Sequence, residues 1–410
     1  MRILVLDGNQ NQTVACVRSL AKQGHTVLVG DTSSWSKAGW SRWCSRTFQY
    51  PAPSESNGMI SRLSDLVRCE PGTLILPMSD ETNLMVSLHR EALEREGARL
   101  VLPAHDDVLR GADKEYTTRL AESMGIDVPE THLVTNSARA RDLAGYLIYP
   151  VVLKPRTSEE QSAGGTTRTT GRPVYAQNAL EFESSYNELT QRCSEVLVQE
   201  FIEGVGIGYF ALMCRGELRA EFAHRRIRDV HPTGSGGAVR VSVAPDPNIR
   251  DAALAILKKL NWHGVAMVEF RQQADGRTLF LEVNGRFWNS LSLACYSGVD
   301  FPAMVAQIAE YGDVALETDY RTGLRCRWLV GDFRHLVEVM KGVPRGYPGK
   351  FPGRIETLVA VLTPVAGTFH DNFMWSDPMP ELGDWLNLAK RAFATRSKKS
   401  FHAQGRYSHS

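Results

Sequence analysis

"TLFLEVNGRFWNS", Thr278 to Ser290, begins as an apolar run and then sets Glu282, Asn284 and Arg286 at every second position. Alternate residues of an extended chain point to one side of the pleat, so a carboxylate, an amide and a guanidinium share one face. The preceding residues give that face a partner. "VAMVEFRQQADGRTLFLEVN" reads as a hairpin, because Asp275-Gly276 suits a two-residue type I′ turn, which needs φ > 0 at both central positions. With that turn, Ala274 faces Arg277 and Glu269 falls directly opposite Glu282. Cross-strand Cβ atoms lie about 4.5–5.5 Å apart, where like charges repel. Two readings follow. Either both carboxylates point into water on a solvated face, or a hard divalent cation joins them. Mg²⁺ needs only one or two carboxylates and completes its shell with water and phosphate oxygens. Asn284, diagonal to Glu269, would add a neutral oxygen.

The rest of the chain narrows the choice. At 410 residues it is too long for one typical core, and two or three domains are expected. Apolar residues make up 43% and charged residues 23%, an ordinary globular composition. With 47 basic against 46 acidic residues, no global field argues for nucleic acid or an anionic membrane. No apolar run reaches the roughly 18 residues of a membrane-spanning helix. "MRILVLDGNQ" enters a strand directly without the shape of a signal peptide. Seven cysteines stand singly with no C-x-x-C pair, which fits reduced thiols and a cytoplasmic location and offers no transition-metal site.

Residues 2–7, 13–23 and 25–31 read as β-α-β, with Gly24 stopping the helix. The connecting "DGNQNQ" has one glycine where a dinucleotide fingerprint wants three. Apolar runs over 72–77 and 98–103 would extend a parallel sheet across the first 105 residues or so. Ligands bind beyond the carboxyl ends of such strands, so Asp80 and Glu81 in "PMSDETN" are candidate substrate contacts. A helix start capped by Ser79 explains the same residues equally well. "ADKEYTTRLAESMG" places Lys114 in the first turn of an amphipathic helix, where it opposes the helix dipole. Lys154 ends the short strand "VVLKP" and would be costly without a nearby anion. Gly164, Gly165 and Thr166 follow in a loop able to offer backbone N–H groups to phosphate. Gly204, Gly206 and Gly208 read as a hinge after the strand that ends at Glu200. His224, Arg225, Arg226 and Arg228 then concentrate positive charge on what is expected to be a sheet edge, suited to phosphate or carboxylate.

The order of Lys114, "VVLKP", a Gly-rich loop, "LVQEFIEG", an Arg-rich strand, "AMVEF" and "LEVNGR" resembles the ATP-grasp superfamily, closest to its carbamoyl phosphate synthase-like carboxylate-amine ligases. The similarity covers about residues 1–310. It implies α/β and α+β multidomain architecture: an N-terminal doubly wound parallel sheet over 1–110, then a two-lobed ATP-grasp fold over 111–310. The small lobe would span about 111–200 and the large lobe about 201–310, with Mg-ATP clasped between their antiparallel sheets. By the same resemblance, Lys114 and Lys154 hold the α- and β-phosphates, and Glu200 with the backbone of Gln199 and Ile202 meets adenine. Glu269, Glu282 and Asn284 hold Mg²⁺, with Mn²⁺ as an alternative. Arg226 and Arg286 are the catalytic candidates at the transferred phosphate or acyl group, and Arg225 and Arg228 are substrate candidates. Relatives often carry an acid for the ribose just beyond the hinge, where this chain has Val205-Gly206, so Glu203 is the substitute. Glu159 and Glu160 in the phosphate loop are expected to face solvent.

Residues 311–389 form a C-terminal extension of a strand and a helix packed on the ligase body. Residues 390–410 contain no acid and read as a disordered basic tail. The implied reaction joins a small carboxylate to an amine through an acyl phosphate, giving ADP and phosphate. The alternatives are delivery of the acyl group to a non-amine nucleophile, or a nucleotide sensor without turnover. The expected partners are small molecules and a second copy of the chain in a homodimer, with neither nucleic acid nor membrane.

Overall fold

The computed structural model describes residues 1–161, 167–170 and 173–404. Four parallel strands come first: β1 (Arg2–Val5), β2 (Thr26–Asp31), β3 (Arg46–Gln49) and β4 (Leu74–Leu76), in the order β3-β2-β1-β4. β1, β2 and β4 are almost wholly apolar because helices cover both faces of the sheet. The strand expected over 98–103 is reduced to a single bridge between Arg99 and Leu74. The carbonyls of Leu102 and Pro103 bond instead to the Arg90 guanidinium, at 2.6 and 2.8 Å. β3 takes the place of a further strand, and its polar "RTFQ" with one buried Phe48 gave the sequence reading little to detect.

Next come β5 (Thr131–Val134), β6 (Val151–Pro155), β7 (Glu159–Gln161), β8 (Thr167–Thr169), β9 (Val174–Ala176) and β10 (Val196–Glu200). β5, β10, β6 and β9 form an antiparallel sheet packed on Phe182 and Leu189, while β7 and β8 pair separately. The larger sheet runs β15-β14-β11-β12-β13-β16-β17. Its strands are β11 (Val205–Cys214), β12 (Glu217–His231), β13 (Ser235–Val243), β14 (Gly264–Gln272), β15 (Thr278–Asn284), β16 (Arg325–Arg327) and β17 (Phe369–His370). One face packs on the helix Pro247–Lys259 and on Trp262. The other shares a continuous core with the helices Leu291–Ser297 and Phe301–Tyr311 and with the first helix, Asn11–Lys22. The N-terminal sheet and the large sheet are thereby bound through one apolar interior.

Two expectations about this sheet are corrected. β12 is its central strand, not an edge. Gly206 and Gly208 lie inside β11, Gly206 paired with β14 and Gly208 with both neighbouring strands, so they are not a flexible link. Their lack of a side chain makes room: a Cβ on Gly206 would lie 2.9 Å from Arg226 Cδ, and one on Gly208 would lie 2.6 Å from the Phe210 ring. Gly204, just before the strand, approaches the Gln272 carbonyl so closely that a Cβ would meet it at 2.3 Å.

β16 and β17 extend the sheet, and the helix Leu329–Lys341 packs on it. Buried ion pairs fasten the rest of the extension. Arg240 on β13 meets Asp371 at 2.8 Å, Arg18 meets Asp377 at 2.9 Å, and Lys37 meets Asp384 at 3.0 Å. The last helix is Met379–Gln404. Its docked first turns supply the nucleus that a short isolated helix lacks. Among the described residues, no helix is long and apolar enough to cross a membrane.

Candidate active site

The hairpin β14–β15 carries the central pair. Glu269 stands opposite Glu282, and Met267 opposite Asn284. The route to that register differs from the expected one. Gln273 N–H donates to Arg277 O at 2.8 Å, so the turn contains three residues and shifts the first pairs, Gln272 with Thr278 through Phe270 with Phe280, by one. A bulge at Leu281 shifts the ladder back. Such a bulge presents two consecutive residues to one side, and here Leu281 and Glu282 line the same cavity.

The like charges are offset by protein cations. Arg226, from β12, lies 2.7 Å from Glu269 and 3.6 Å from Asp229. Lys114 Nζ, at the start of the helix Lys114–Ser123, lies 3.7 Å from Glu282 and donates to Ser158 Oγ at 3.1 Å. Asp113 caps that helix and grips Arg156 at 2.6 Å, which fixes Lys114 against the end of β6. Asn284 donates to Glu282 at 3.2 Å and accepts from Arg286 at 3.4 Å. Arg286 in turn holds both oxygens of Asp80 at 3.0 and 3.2 Å. A continuous polar line thus runs from the N-terminal unit, through β15, to the small lobe. The cation that the sequence reading asked of this pair is already supplied by Arg226, Lys114 and the nearby Lys154.

Electrostatics single out two groups. Burial disfavours the charged form of Glu282, but Lys114, Lys154, Asn284 and Arg286 together outweigh it and hold the carboxyl below its ordinary pKa. Lys154, at the end of β6, is pushed down to about 8 by burial, against the pull of Glu282. It is therefore partly uncharged at mildly alkaline pH. Turnover per unit of free ATP is expected to fall as pH rises through about 8, because the deprotonated amine no longer attracts phosphate. A pH profile of kcat/KM for ATP checks this, and Lys154→Arg should lose that alkaline limb.

Two cavities meet at Glu282. One, about 340 Å³, is lined by Lys154, Gln199, Ile202, Arg226, Glu269 and Glu282. The other, about 310 Å³, is bounded by Asp80, Lys114, Ser158, Glu282 and Asn284. The Gln199 side chain is buried and bonds Thr131 at 2.8 Å, while Glu200 lies exposed at the rim and accepts the Glu130 N–H at 3.4 Å. Glu203 accepts the Lys350 N–H at 3.4 Å.

Other expected site residues lie elsewhere. Arg225, one position out of phase with Arg226, points to the opposite, exposed side of β12. Arg228 is taken by Asp332 at 2.7 Å, and His224 is buried against Ser290. Ser79 and Thr82 form a capping box around Asp80 and Glu81. Glu81 does not stand free for substrate, since it hydrogen-bonds Glu159 and burial raises its pKa. Glu159 is accordingly half-buried and not in solvent, contrary to expectation. Gly164, Gly165 and Thr166 lie outside the described residues, as does the Glu160 side chain.

The sequence reading missed Arg271, which lines the first cavity and donates to the Gly204 carbonyl at 3.3 Å. It also missed the Gly- and Pro-rich "GYPGKFPG" of the extension, residues 346–353, whose turn signals were legible but whose docking site was not. Tyr347 packs edge-on against Tyr175 and Phe201, with centroids 5.1 and 5.9 Å apart, and Phe351 reaches the cavity. Gly346, at φ 72°, passes so close that a Cβ would meet the Tyr175 carbonyl at 2.7 Å. Tyr347→Ala is expected to raise the KM for ATP about tenfold with little change in kcat, since an aromatic pair contributes about 0.5–1.5 kcal/mol beyond its buried area. Steady-state kinetics would show it.

The facing carboxylates Glu269 and Glu282, with Lys114 and Lys154 beside them, lie within or next to the stretch that known proteins share with this chain. The profile described as "ATP-grasp in the biosynthetic pathway with Ter operon" matches residues 192–331. The chain has the ATP-grasp fold. A D-alanine–D-alanine ligase of Nitrosomonas europaea is 26% identical over 216 residues, which is 48% of this chain and 66% of the ligase. The arginine-specific large chain of carbamoyl phosphate synthase from Halalkalibacterium halodurans is 23% identical over 215 residues, 50% of this chain and 20% of that one. The L-amino acid ligase from Bacillus licheniformis has the same fold, with a TM-score of 0.59 at 17% identity over 76% of this chain and 74% of the ligase. So has the biotin carboxylase domain of the Hydrogenobacter thermophilus 2-oxoglutarate carboxylase, crystallised with MgADP, ADP and bicarbonate. Its TM-score is 0.62 at 17% identity, over 79% of this chain and 73% of that domain.

The site's donors fit a hard divalent cation. Glu269, Glu282 and Asn284 offer hard oxygens, and among the described residues no cluster of three or more His, Cys, Asp or Glu forms a closed cage. That set suits Mg²⁺, which takes its remaining ligands from phosphate and water.

Proposed function

We propose that this protein is a cytoplasmic carboxylate-amine ligase that consumes Mg-ATP and passes through an acyl phosphate. The facing pair Glu269 and Glu282, with Asn284 beside them and Lys114, Lys154 and Arg226 around them, carries this reading. In it, residues 1–110 contribute the Asp80 contact, the lobes 111–200 and 201–310 clasp the nucleotide, and 311–389 close the rim.

A carboxylate is a poor electrophile. Transfer of the γ-phosphoryl group to one of its oxygens breaks a phosphoanhydride bond, releases ADP and leaves an acyl phosphate. An amine then attacks the carbonyl, loses a proton and expels phosphate. Bound at Glu269, Glu282 and Asn284, Mg²⁺ would neutralise charge on the transferring phosphoryl oxygens. Lys114 and Lys154 hold the α- and β-phosphates. The backbone of Gln199 and Ile202, with Glu200, holds adenine, and Glu203 faces the ribose. Arg226 and Arg286 steady negative charge at the acyl phosphate. Their partners Glu269, Asp229 and Asp80 fix both guanidinium planes in advance, which avoids reorganisation during the transfer.

The test is release of ADP and phosphate from Mg-ATP by the purified protein, with pooled amino acids and other small carboxylates supplied in pairs with amines. Release that requires one pair and yields a product with the combined mass less one water supports ligation. Release that is indifferent to the amine contradicts it.

A further inference from the structure

A second cleft lies away from the candidate active site, on the seam between the N-terminal unit and the turn of the large sheet. It encloses about 700 Å³, more than either cavity of the catalytic centre. His89, Arg90, Arg95 and His105 enter it from the N-terminal unit, and Arg215 and His263 from the large lobe. Among the described residues, Glu91 is the one acid on its wall. Two more carboxylates lie close by, Glu94 bound to Arg90 at 3.1 Å and Asp106 beside His105. Positive groups from two separate units therefore face each other across the cleft, only Arg90 among its arginines being held in an ion pair among the described residues. Like charges so placed repel, and a seam that only had to pack would not collect them.

Three details point to a ligand. Arg215 and Gly216 are the two residues of the β11–β12 turn, with φ of 51° and 85°. Turns of that type take Asn, Asp or Gly at the first position, because a longer side chain is strained there. An arginine has been kept at that cost, and among the described residues it makes no ion pair. His263 accepts the Arg215 N–H on Nδ1 at 3.3 Å, which leaves Nε2–H as a donor. Arg90 holds the Leu102 and Pro103 carbonyls, yet its buried Nε has no hydrogen-bond partner among the described residues.

We propose that this cleft is a binding site for a small polyanion, a phosphate or polycarboxylate, held jointly by Arg215 and His263 of the large lobe and by Arg90, Arg95, His89 and His105 of the N-terminal unit. The guanidinium groups supply charge-assisted hydrogen bonds, and the three imidazoles supply neutral donors. Occupancy ties the N-terminal unit to the lobe that carries Glu269 and Glu282. The site is thus placed to make catalysis respond to the concentration of an anion that is not itself consumed.

Calorimetric titration of the full chain with inorganic phosphate and, separately, with citrate tests this, using Arg215→Gly and Lys114→Ala alongside the parent. Glycine relieves the strained turn, so Arg215→Gly is expected to melt no lower than the parent and yet to bind the anion at least tenfold more weakly. Lys114→Ala, in the catalytic cleft, should bind it as the parent does. Binding of phosphate alone assigns the cleft to phosphoryl compounds, and binding of citrate alone to polycarboxylates. Binding of neither overturns the proposal. So does anion binding that survives Arg215→Gly but is lost in Lys114→Ala, because the anion then belongs to the catalytic cleft.

Discussion

Glu282→Gln should lower ADP release from Mg-ATP by at least about a hundredfold, the scale on which loss of one preorganised electrostatic group acts on charge transfer. The substitution keeps the shape of the side chain and its contact with the Asn284 amide at 3.2 Å. It removes the negative charge that faces Lys114 and Lys154 and with it one of the two carboxylates offered to Mg²⁺. Lys154 responds as well. Glu282 is the largest influence that keeps this buried amine protonated, so in the variant its pKa falls further below about 8 and less of it is charged at neutral pH. ADP formation by a coupled assay, read beside a thermal melt, separates the chemistry from the fold. A variant that folds and turns over at more than a tenth of the parent rate would remove Glu282 from the mechanism.

Asp371→Ala carries the largest expected loss of stability, about 3–5 kcal/mol, because it leaves a buried guanidinium uncompensated. Arg240 has no exposed surface and Asp371 is 1% exposed, with both carboxylate oxygens on Arg240 Nη2 at 2.8 and 2.9 Å. The Asp371 backbone carbonyl also accepts from Arg18 at 3.2 Å, so the junction of three segments loosens together. Removing both charges by Arg240→Met with Asp371→Leu should recover most of the loss, since a buried pair contributes little beyond an apolar pair of similar size. Urea denaturation of the two variants measures the difference. A cost under about 1 kcal/mol for Asp371→Ala would mean that the C-terminal extension is a loosely attached appendage.

The Glu269–Glu282 pairing was legible in the sequence through errors that cancel. The count assumed a two-residue turn and an unbroken ladder, while the chain has a three-residue turn and a compensating bulge at Leu281. Alternation beyond the bulge is unaffected, so Glu282, Asn284 and Arg286 share a face as their spacing says. The Arg-rich strand was legible as charge but not as geometry. Alternation alone separates Arg226 from Arg225, but choosing which of them faces the cleft requires knowing that β14 lies on the far side of β11. The glycines of β11 were misread because a hinge and a close approach use the same residue. Only the position of the Arg226 side chain over Gly206 distinguishes them. Nothing local in "GYPGKFPG" records that Tyr347 will meet Tyr175 and Phe201, since that contact joins segments well over a hundred residues apart.

The most direct measurement is to trap the acyl phosphate with hydroxylamine in place of the amine substrate, with Mg-ATP and the carboxylate pool that supports turnover. Acyl phosphates react with hydroxylamine to give stable hydroxamates. The proposed mechanism predicts a hydroxamate formed in step with ADP and phosphate, and its absence in Glu282→Gln. AMP and pyrophosphate in place of ADP, or a hydroxamate that does not require ATP, would contradict it.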